Sequence, residues 1–207
     1  MACLRSRLSF LLIAAMTILA SVNGQGLCSP YRRKLAFSFF NRNKFDIVFI
    51  QETHFTSEME IQVQSEWEGD VFFTHGTNSA RSVEILFSSR LEYNVIQTRR
   101  DNEGRILNIL LNMEEHTMNI VNAYAPSSDT ERRTFFSDLE QFLSQDYDNI
   151  IGGHFNCIMD VRQDKLGGNI GARQSASTIL RTLNARYNLI DVWRNCHQGQ
   201  RNYTWTG

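Results

Sequence analysis

The chain carries short, unbroken apolar runs, each about as long as one β-strand. The clearest is Asp46 to Ile50, with the sequence DIVFI. Such runs are typical of strands that are buried on both faces. Further strands are predicted at 83–87, 106–111, 118–123 and 149–151. A sheet made of these strands must be covered on both sides, so the fold requires helices or a second sheet.

Helix signals lie between the apolar runs. Ser29 followed by Pro30 predicts a helix start, because serine caps a helix and proline is tolerated in its first turn. This helix is predicted to run to about residue 41, with three buried side chains: Leu35, Phe39 and Phe40. Two more helices are predicted, one from residue 128 and one over 175–188. The alternation of strands and helices predicts an α/β or mixed α+β sandwich.

The composition is that of a folded domain. Hydrophobic residues make up 42 % and aromatic residues 11 % of the 207 residues, which excludes disorder for most of the chain. The net charge of −1 excludes an overall basic field that would attract nucleic acid. The four cysteines form no C-x-x-C pair, so a zinc ribbon is not favoured and they are interpreted as plain thiols.

The N-terminal segment has two interpretations. An apolar run from Leu8 to Ala20 follows Arg5 and Arg7, as in a secretory signal, and is too short for a transmembrane helix. Residues 16–22 also resemble a first buried strand, because they contain three β-branched residues. The two interpretations exclude each other, since cleavage of a signal would remove the strand. The residues of this segment alone leave the choice open, and the family resemblance of the later segments favours the strand.

Polar residues follow several of the predicted strands. They are Asn23, then Gln51 to His54, then Asn122 and Tyr124, and finally His154 and Asn156. Ligand sites of open α/β sheets collect beyond the carboxyl ends of strands, so these side chains are expected at one edge. One carboxylate, with carboxamides, a phenol and imidazoles, suits a hard cation such as Mg²⁺ together with a phosphate.

Three of these segments resemble a known family. The strings Q-E-T-H at 51–54, N-A-Y-A-P at 122–126 and G-G-H-F-N at 152–156 resemble the endonuclease/exonuclease/phosphatase superfamily. The branch that they resemble most is the endonuclease domain of non-LTR (LINE-type) retrotransposons. Residues 21–23, 26–27, 191–194 and 203–205 support the match. The resemblance implies an α/β fold of the DNase I-like type, a four-layer sandwich of two β-sheets flanked by helices. The domain would span residues 16–207, and residues 1–15 would be an extension or part of a signal-like segment.

The resemblance also implies an activity and a set of site residues. The activity is metal-dependent hydrolysis of phosphodiesters in DNA, as in AP endonucleases and exonuclease III, with Mg²⁺ as cofactor and Mn²⁺ as a substitute. The metal ligand would be Glu52, and Asn23 would help to organise the metal site. The catalytic set would be His154, Asn156 and Tyr124, and the substrate phosphate would be bound by Asn122, Asn156, Tyr124 and His54.

Two departures from the family pattern predict impaired catalysis. The family has G-D-F-N where this chain has Gly153-His154-Phe155-Asn156, so His154 replaces an aspartate that handles the proton of the attacking water. An imidazole can accept a proton but lacks the negative charge that favours a cation. The printed sequence also stops before the strand with R-x-D and the S-D-H motif of the family, so we expect a C-terminally truncated domain that lacks the last strands.

Three functions are therefore open. The first is a retroelement-type endonuclease, with DNA as substrate and a reverse transcriptase domain encoded downstream as a further partner. The second is a non-catalytic remnant that binds nucleic acid. The third is a secreted DNase-type phosphodiesterase, which requires the signal peptide. No stable membrane partner is expected, and an intracellular location, nuclear or cytoplasmic, is favoured unless the segment Leu8–Ala20 acts as a signal.

Overall fold

The computed structural model describes residues 3–5, 17–76, 81–160 and 175–200. Its strands are β1 (Cys3–Arg5), β2 (Leu19–Asn23), β3 (Ile47–Gln51), β4 (Gly69–Thr74), β5 (Val83–Ser88), β6 (Asn94–Arg100), β7 (Ile106–Met113), β8 (His116–Tyr124), β9 (Asp148–His154) and β10 (Leu189–Asp191). Its α-helices are α1 (Pro30–Arg42), α2 (Glu60–Glu66), α3 (Asp129–Leu139), α4 (Ser175–Arg186) and α5 (Val192–Cys196), with short 3₁₀ turns at Ser57–Met59 and Glu140–Phe142.

The strands form two sheets that pack face to face. One sheet has the order β10-β1-β9-β8-β7-β6, and the other has the order β2-β3-β5-β4. A core between them joins Phe49 and Ile85 of the smaller sheet to Ile109 and Ile120 of the larger. Two more cores lie on the outer faces, one under α1 and α2 and one under α3 and α4. The layers are therefore helix, sheet, sheet and helix, which confirms the predicted α/β four-layer sandwich.

Helix α1 begins where the sequence predicts, but it buries a different face. Its buried residues are Arg33, Phe37 and Phe40, whereas Leu35 and Phe39 are about half exposed. The spacing of four and three residues places the buried set on one face. Arg33 is tolerated there because its guanidinium donates two hydrogen bonds of 2.7 Å to the Glu66 carboxylate. A buried, paired arginine cannot be recognised from hydrophobic periodicity, so the prediction for Leu35 and Phe39 was wrong.

The N-terminal part of the chain contributes to both sheets. Strand β2 runs parallel to β3, from Leu19 opposite Ile47 to Asn23 opposite Gln51. The strand favoured by the sequence is thus present over residues 19–23. Residues 3–5, which the sequence analysis leaves outside the domain, form β1 between β9 and β10.

Some predicted features lie outside the described residues. They are residues 8–16 of the apolar segment and the motif at 203–205. Within the described ranges, no helix combines the length and the apolar character needed to cross a membrane.

Gly152 permits the two sheets to approach each other. A Cβ atom on Gly152 would lie 2.4 Å from the ring of Phe49, which belongs to the opposite sheet. We expect Gly152→Ala to lower the free energy of unfolding by about 1–3 kcal/mol, because a methyl group would overfill a closely packed core. Urea unfolding measures this change. Ser38→Ala on the exposed side of α1 is the control and should change stability by less than about 0.5 kcal/mol. Equal stability of both variants would contradict the packing argument.

Candidate active site

Four strands bring the predicted polar residues to one junction between the sheets. Strands β2 and β3 are parallel and end at Asn23 and Gln51, while β8 and β9 are parallel and end at Tyr124 and His154. The hydroxyl of Tyr124 lies near enough to the carboxylate of Glu52 to interact with it, so the two pairs of strand ends meet. The convergence expected from the sequence is therefore present.

Glu52 lies at the centre of this junction and has an unusual backbone conformation. Its φ angle is 55°, in the left-handed region that glycine prefers. The conformation is held on both sides, because the Glu52 amide donates to Ser82 O at 3.0 Å and the Gly26 amide donates to Glu52 O at 3.2 Å. Non-glycine residues in this region cost about 1–3 kcal/mol and cluster at functional sites. The backbone strain thus marks the turn that presents the Glu52 carboxylate.

Asn23 orients the Glu52 side chain. Its Nδ2 donates to Glu52 Oε1 at 2.9 Å, and its Oδ1 accepts from the backbone amide of Gln25 at 3.2 Å. The second bond fixes the direction of the carboxamide, so Asn23 presents an N–H group to the carboxylate. Its position matches the predicted role of organising the site around Glu52.

Tyr124 supplies a neutral hydrogen-bond donor. Partial burial, and then the nearby carboxylate of Glu52, raise the pKa of Tyr124 to about 12. The phenol therefore stays protonated at neutral pH and cannot act as a base there. The guanidinium of Arg105 lies 5.2 Å from the centre of the Tyr124 ring and donates to Tyr124 O at 3.2 Å.

His154 and Asn156 form a second hydrogen-bonded pair beside Tyr124. Their atoms Nε2 and Oδ1 are 2.8 Å apart, and Asn156 Nδ2 donates to Ala125 O at 2.8 Å. Because Asn156 Oδ1 can only accept, the Nε2 atom of His154 carries the proton of the first bond. The ring centres of His154 and Tyr124 are 6.0 Å apart. A neutral His154 thus has only Nδ1 left to accept a proton.

Asn122 does not reach the surface of the site. It is fully buried, and its Nδ2 donates to Ile50 O and Glu84 O, at 2.8 and 2.7 Å, in the other sheet. Its Oδ1 accepts from Gln51 Nε2 at 2.8 Å. These bonds connect the two sheets directly behind Glu52. Both hydrogens of Asn122 Nδ2 are used in them, so neither can be donated to a phosphate. The structure therefore gives Asn122 a structural position instead of the phosphate-binding one predicted.

His54 lies on the exposed side of the Glu52 turn. Its φ angle is 61°, and its backbone carbonyl accepts from Cys28 Sγ at 2.9 Å. The side chain is open to solvent, so a contact with a bound phosphate stays a prediction.

The sequence analysis missed Arg105. This residue is buried, and the carboxylate of Asp101 accepts hydrogen bonds from its backbone amide and from that of Ile106, at 2.8 and 3.0 Å. A single arginine after a turn carries no pattern that predicts stacking on a distant tyrosine. Arg105 adds a fixed positive charge beside Tyr124.

The donor set fits one magnesium ion held mainly by water and substrate. Mg²⁺ sites in phosphate chemistry commonly use one or two carboxylates plus water and phosphate oxygens. Glu52 supplies one partly exposed carboxylate, and no ion pair neutralises it within the described ranges. In the same part of the chain, no three His, Cys, Asp or Glu side chains cluster as a ready metal cage. The site therefore suits a weakly held ion.

Comparison with known proteins agrees with this geometry. No protein-family model matches the sequence. The transposon TX1 uncharacterized 149 kDa protein of Xenopus laevis is 34 % identical over 179 residues, which are 85 % of this chain and 14 % of that protein. The chain therefore spans only about one seventh of the length of this curated relative.

Solved structures share the fold at low sequence identity. An AP endonuclease from Archaeoglobus fulgidus has a TM-score of 0.68 and 16 % identity, over 93 % of this chain and 79 % of that one. The catalytic domain of human Nocturnin has a TM-score of 0.62 and 12 % identity, over 87 % and 74 %. An endonuclease/exonuclease/phosphatase family protein from Bacteroides thetaiotaomicron has a TM-score of 0.51 and 10 % identity, over 67 % and 60 %. The chain therefore shares the fold of these structures, and its sequence is related to that of a transposon protein.

Proposed function

We propose that the chain hydrolyses phosphodiester bonds of DNA in a reaction that depends on a divalent cation. The observation that carries this proposal is the Glu52 carboxylate, held by Asn23 and Tyr124 where the carboxyl ends of four strands meet. A carboxylate fixed among neutral donors is suited to a cation and an anionic substrate together. The relationship to a transposon protein supports DNA as the substrate.

Each residue of the junction has a defined task in this proposal. Glu52 would hold Mg²⁺, or Mn²⁺ in its place, and Asn23 keeps the carboxylate in position. When bound, the cation would supply positive charge that neutralises the phosphate and the leaving oxygen. Tyr124 would turn its hydroxyl hydrogen from Glu52 to a phosphate oxygen, and Arg105 adds positive charge on the same side. Asn156 orients His154, whose Nδ1 is available to take a proton from the attacking water.

Nicking of supercoiled plasmid DNA tests the proposal. We expect slow nicking with Mg²⁺ or Mn²⁺ and none with a chelator. Glu52→Gln should lower the rate and the affinity for Mn²⁺ at least tenfold, roughly the effect of disturbing a metal site, because the amide lacks the negative charge. Electron paramagnetic resonance of free Mn²⁺ measures the affinity.

Glu92→Gln is the matched control, since Glu92 is an exposed carboxylate between β5 and β6. This variant should nick DNA and bind Mn²⁺ as the unmodified chain does. Equal nicking by the Glu52→Gln and Glu92→Gln variants would rule out the proposed metal ligand.

His154 supports a second candidate, a domain that binds nucleic acid without cutting it. An imidazole beside Tyr124 adds no negative charge for a cation, and its Nε2 is already bonded to Asn156. In this case the chain would shift DNA in a gel, its affinity would fall with salt, and no nicked product would form. The secreted alternative has less support, because no disulfide joins any two of Cys28, Cys157 and Cys196. A reverse transcriptase partner and an intracellular location stay predictions.

A further inference from the structure

Strand β5 carries a buried carboxyl group that the proposed reaction does not use. The side chain of Glu84 is fully buried. Its neighbours across the sheet are Ile50 on β3 and Phe73 on β4, both part of the core under α1 and α2. A carboxyl group is unusual in such apolar surroundings, because burial of an unpaired charge costs free energy.

Glu84 is tied to the residue that follows Glu52. Its Oε1 is 2.9 Å from the hydroxyl oxygen of Thr53, which also lies 2.7 Å from Ser82 Oγ and accepts from the Phe55 amide at 3.3 Å. The other oxygen, Oε2, is buried without a hydrogen-bond partner among the described residues. One accepted bond does not compensate a carboxylate for the loss of water.

The surroundings therefore favour the protonated acid. Burial raises the pKa of the Glu84 carboxyl well above its usual range, and the bond from Thr53 opposes this only in part. A proton on Oε1 allows Glu84 to donate to Thr53, which then donates to Ser82 and still accepts from Phe55. In this arrangement, the hydrogens of the Glu84 carboxyl and of the Thr53 hydroxyl each have an acceptor.

The group that Glu84 holds is the turn that presents Glu52. Thr53 is bound through its side chain, and Glu52 itself is bound through its amide to Ser82 O. The same turn is fixed from another direction by Cys28 Sγ, which donates to His54 O. The left-handed conformation of Glu52 persists only where its surroundings hold it in this way.

We propose that Glu84 is a positioning residue, which holds the turn of Glu52 in its left-handed conformation through the hydroxyl groups of Thr53 and Ser82. The effect of this positioning on metal binding rests on the proposed function. The positioning of the turn by Glu84 does not rest on that function, so it can be tested without metal or DNA.

Amide hydrogen exchange in the metal-free chain tests the hold on the turn. We expect Glu84→Leu and Thr53→Val to speed exchange of the Glu52 and Phe55 amides about tenfold relative to amides of β7. Glu84→Gln should restore near-normal protection, because an amide is neutral and still forms hydrogen bonds. Leu86→Ala is the control, since it opens a cavity on the same face of the same strand.

Two results would overturn the proposal. One is exchange of the Glu52 and Phe55 amides that is no faster in the Glu84→Leu variant than in the Leu86→Ala variant. The other is unchanged exchange in the Thr53→Val variant, which also decides the matter if Glu84→Leu does not fold. If the turn loosens as expected but the unmodified chain binds no Mn²⁺, the proposed function fails while the positioning role stands.

The pH dependence of unfolding tests the protonated state separately. The folded chain retains the Glu84 proton to higher pH than the unfolded chain, so stability falls as pH rises above the unfolded value of about 4.3. The unfolding constant of the unmodified chain, divided by that of the Glu84→Gln variant, should therefore rise up to about tenfold per pH unit. Parallel curves would show that Glu84 is ionised when folded.

Other titratable groups near Glu84 should cancel in this comparison. They are Cys28, whose thiol senses the charge of Glu84, the pair Arg33 and Glu66, and the pair His75 and Glu60. All five are present in both proteins, so the two ion pairs contribute equally to the pH dependence of each. The contribution of Cys28 changes with the charge of Glu84, so the curves are compared below about pH 8, where the thiol is neutral.

Discussion

Replacing His154 by aspartate is expected to raise the rate of Mg²⁺-dependent plasmid nicking by about 10–100-fold, roughly the effect of supplying a supporting group to a metal site. His154 ends β9 beside Tyr124, and its Nε2 is committed to Asn156. An aspartate at this position adds a negative charge close to the proposed cation and an oxygen that can accept a proton from water. The measurement is the initial rate of loss of supercoiled plasmid under single-turnover conditions.

Two further variants show whether such a gain comes from the proposed chemistry. His154→Ala should give no gain, because it removes the imidazole without adding a base. The double variant with His154→Asp and Glu52→Gln should lose the gain, because the cation would no longer be held. A rate for His154→Asp equal to that of the unmodified chain would show that this position does not limit catalysis.

Asn122→Leu is expected to lower the free energy of unfolding by about 3–6 kcal/mol. The change leaves Gln51 Nε2, Ile50 O and Glu84 O without the partner they have now, and each unsatisfied buried group costs about 1–3 kcal/mol. Leucine has a similar volume, so the loss comes from hydrogen bonding and not from a cavity. Equilibrium urea unfolding gives the value.

Asn112→Leu is the matched control for this prediction. Asn112 lies on β7, is only partly buried, and accepts one hydrogen bond, from Thr117. Its replacement should cost less than about 1 kcal/mol. If both variants lower the free energy of unfolding by a similar amount, the hydrogen bonds that Asn122 makes between the sheets contribute no more to stability than the single bond of Asn112.

The sequence predicts the central strands well and the edge strands poorly. Strand β3 is an unbroken apolar run because both of its faces are covered, and this produces a clear pattern. Strands β4 and β6 were not predicted, and each lies at an edge of its sheet. Most residues of β6 are exposed, including Arg99 and Arg100, so its sequence resembles that of a loop. Their pairing with a neighbour depends on the rest of the fold, which local pattern does not contain.

For the site, the sequence predicts which strand ends meet but not which side chains face outward. The expectation that Glu52, Tyr124 and His154 converge follows from the parallel arrangement of their strands, and the structure agrees. The burial of Asn122 does not follow, because an asparagine at a strand end can point to solvent or between two sheets with the same local sequence. The burial of Glu84 was not predicted either, because a charged residue within a strand usually indicates an exposed face.

Apart from β1, which joins the larger sheet from the N-terminal end, the two sheets come from two consecutive lengths of chain. Strands β2 to β5 lie within residues 19–88, and β6 to β10 lie within residues 94–191. Glu52 and Asn23 belong to the first length, whereas Tyr124, His154 and Asn156 belong to the second. Neither length contains the complete constellation, so the proposed chemistry would begin only when the second sheet has docked on the first. If the chain cuts DNA as proposed, a polypeptide emerging from the ribosome would not cut nucleic acid until most of it has been synthesised and folded.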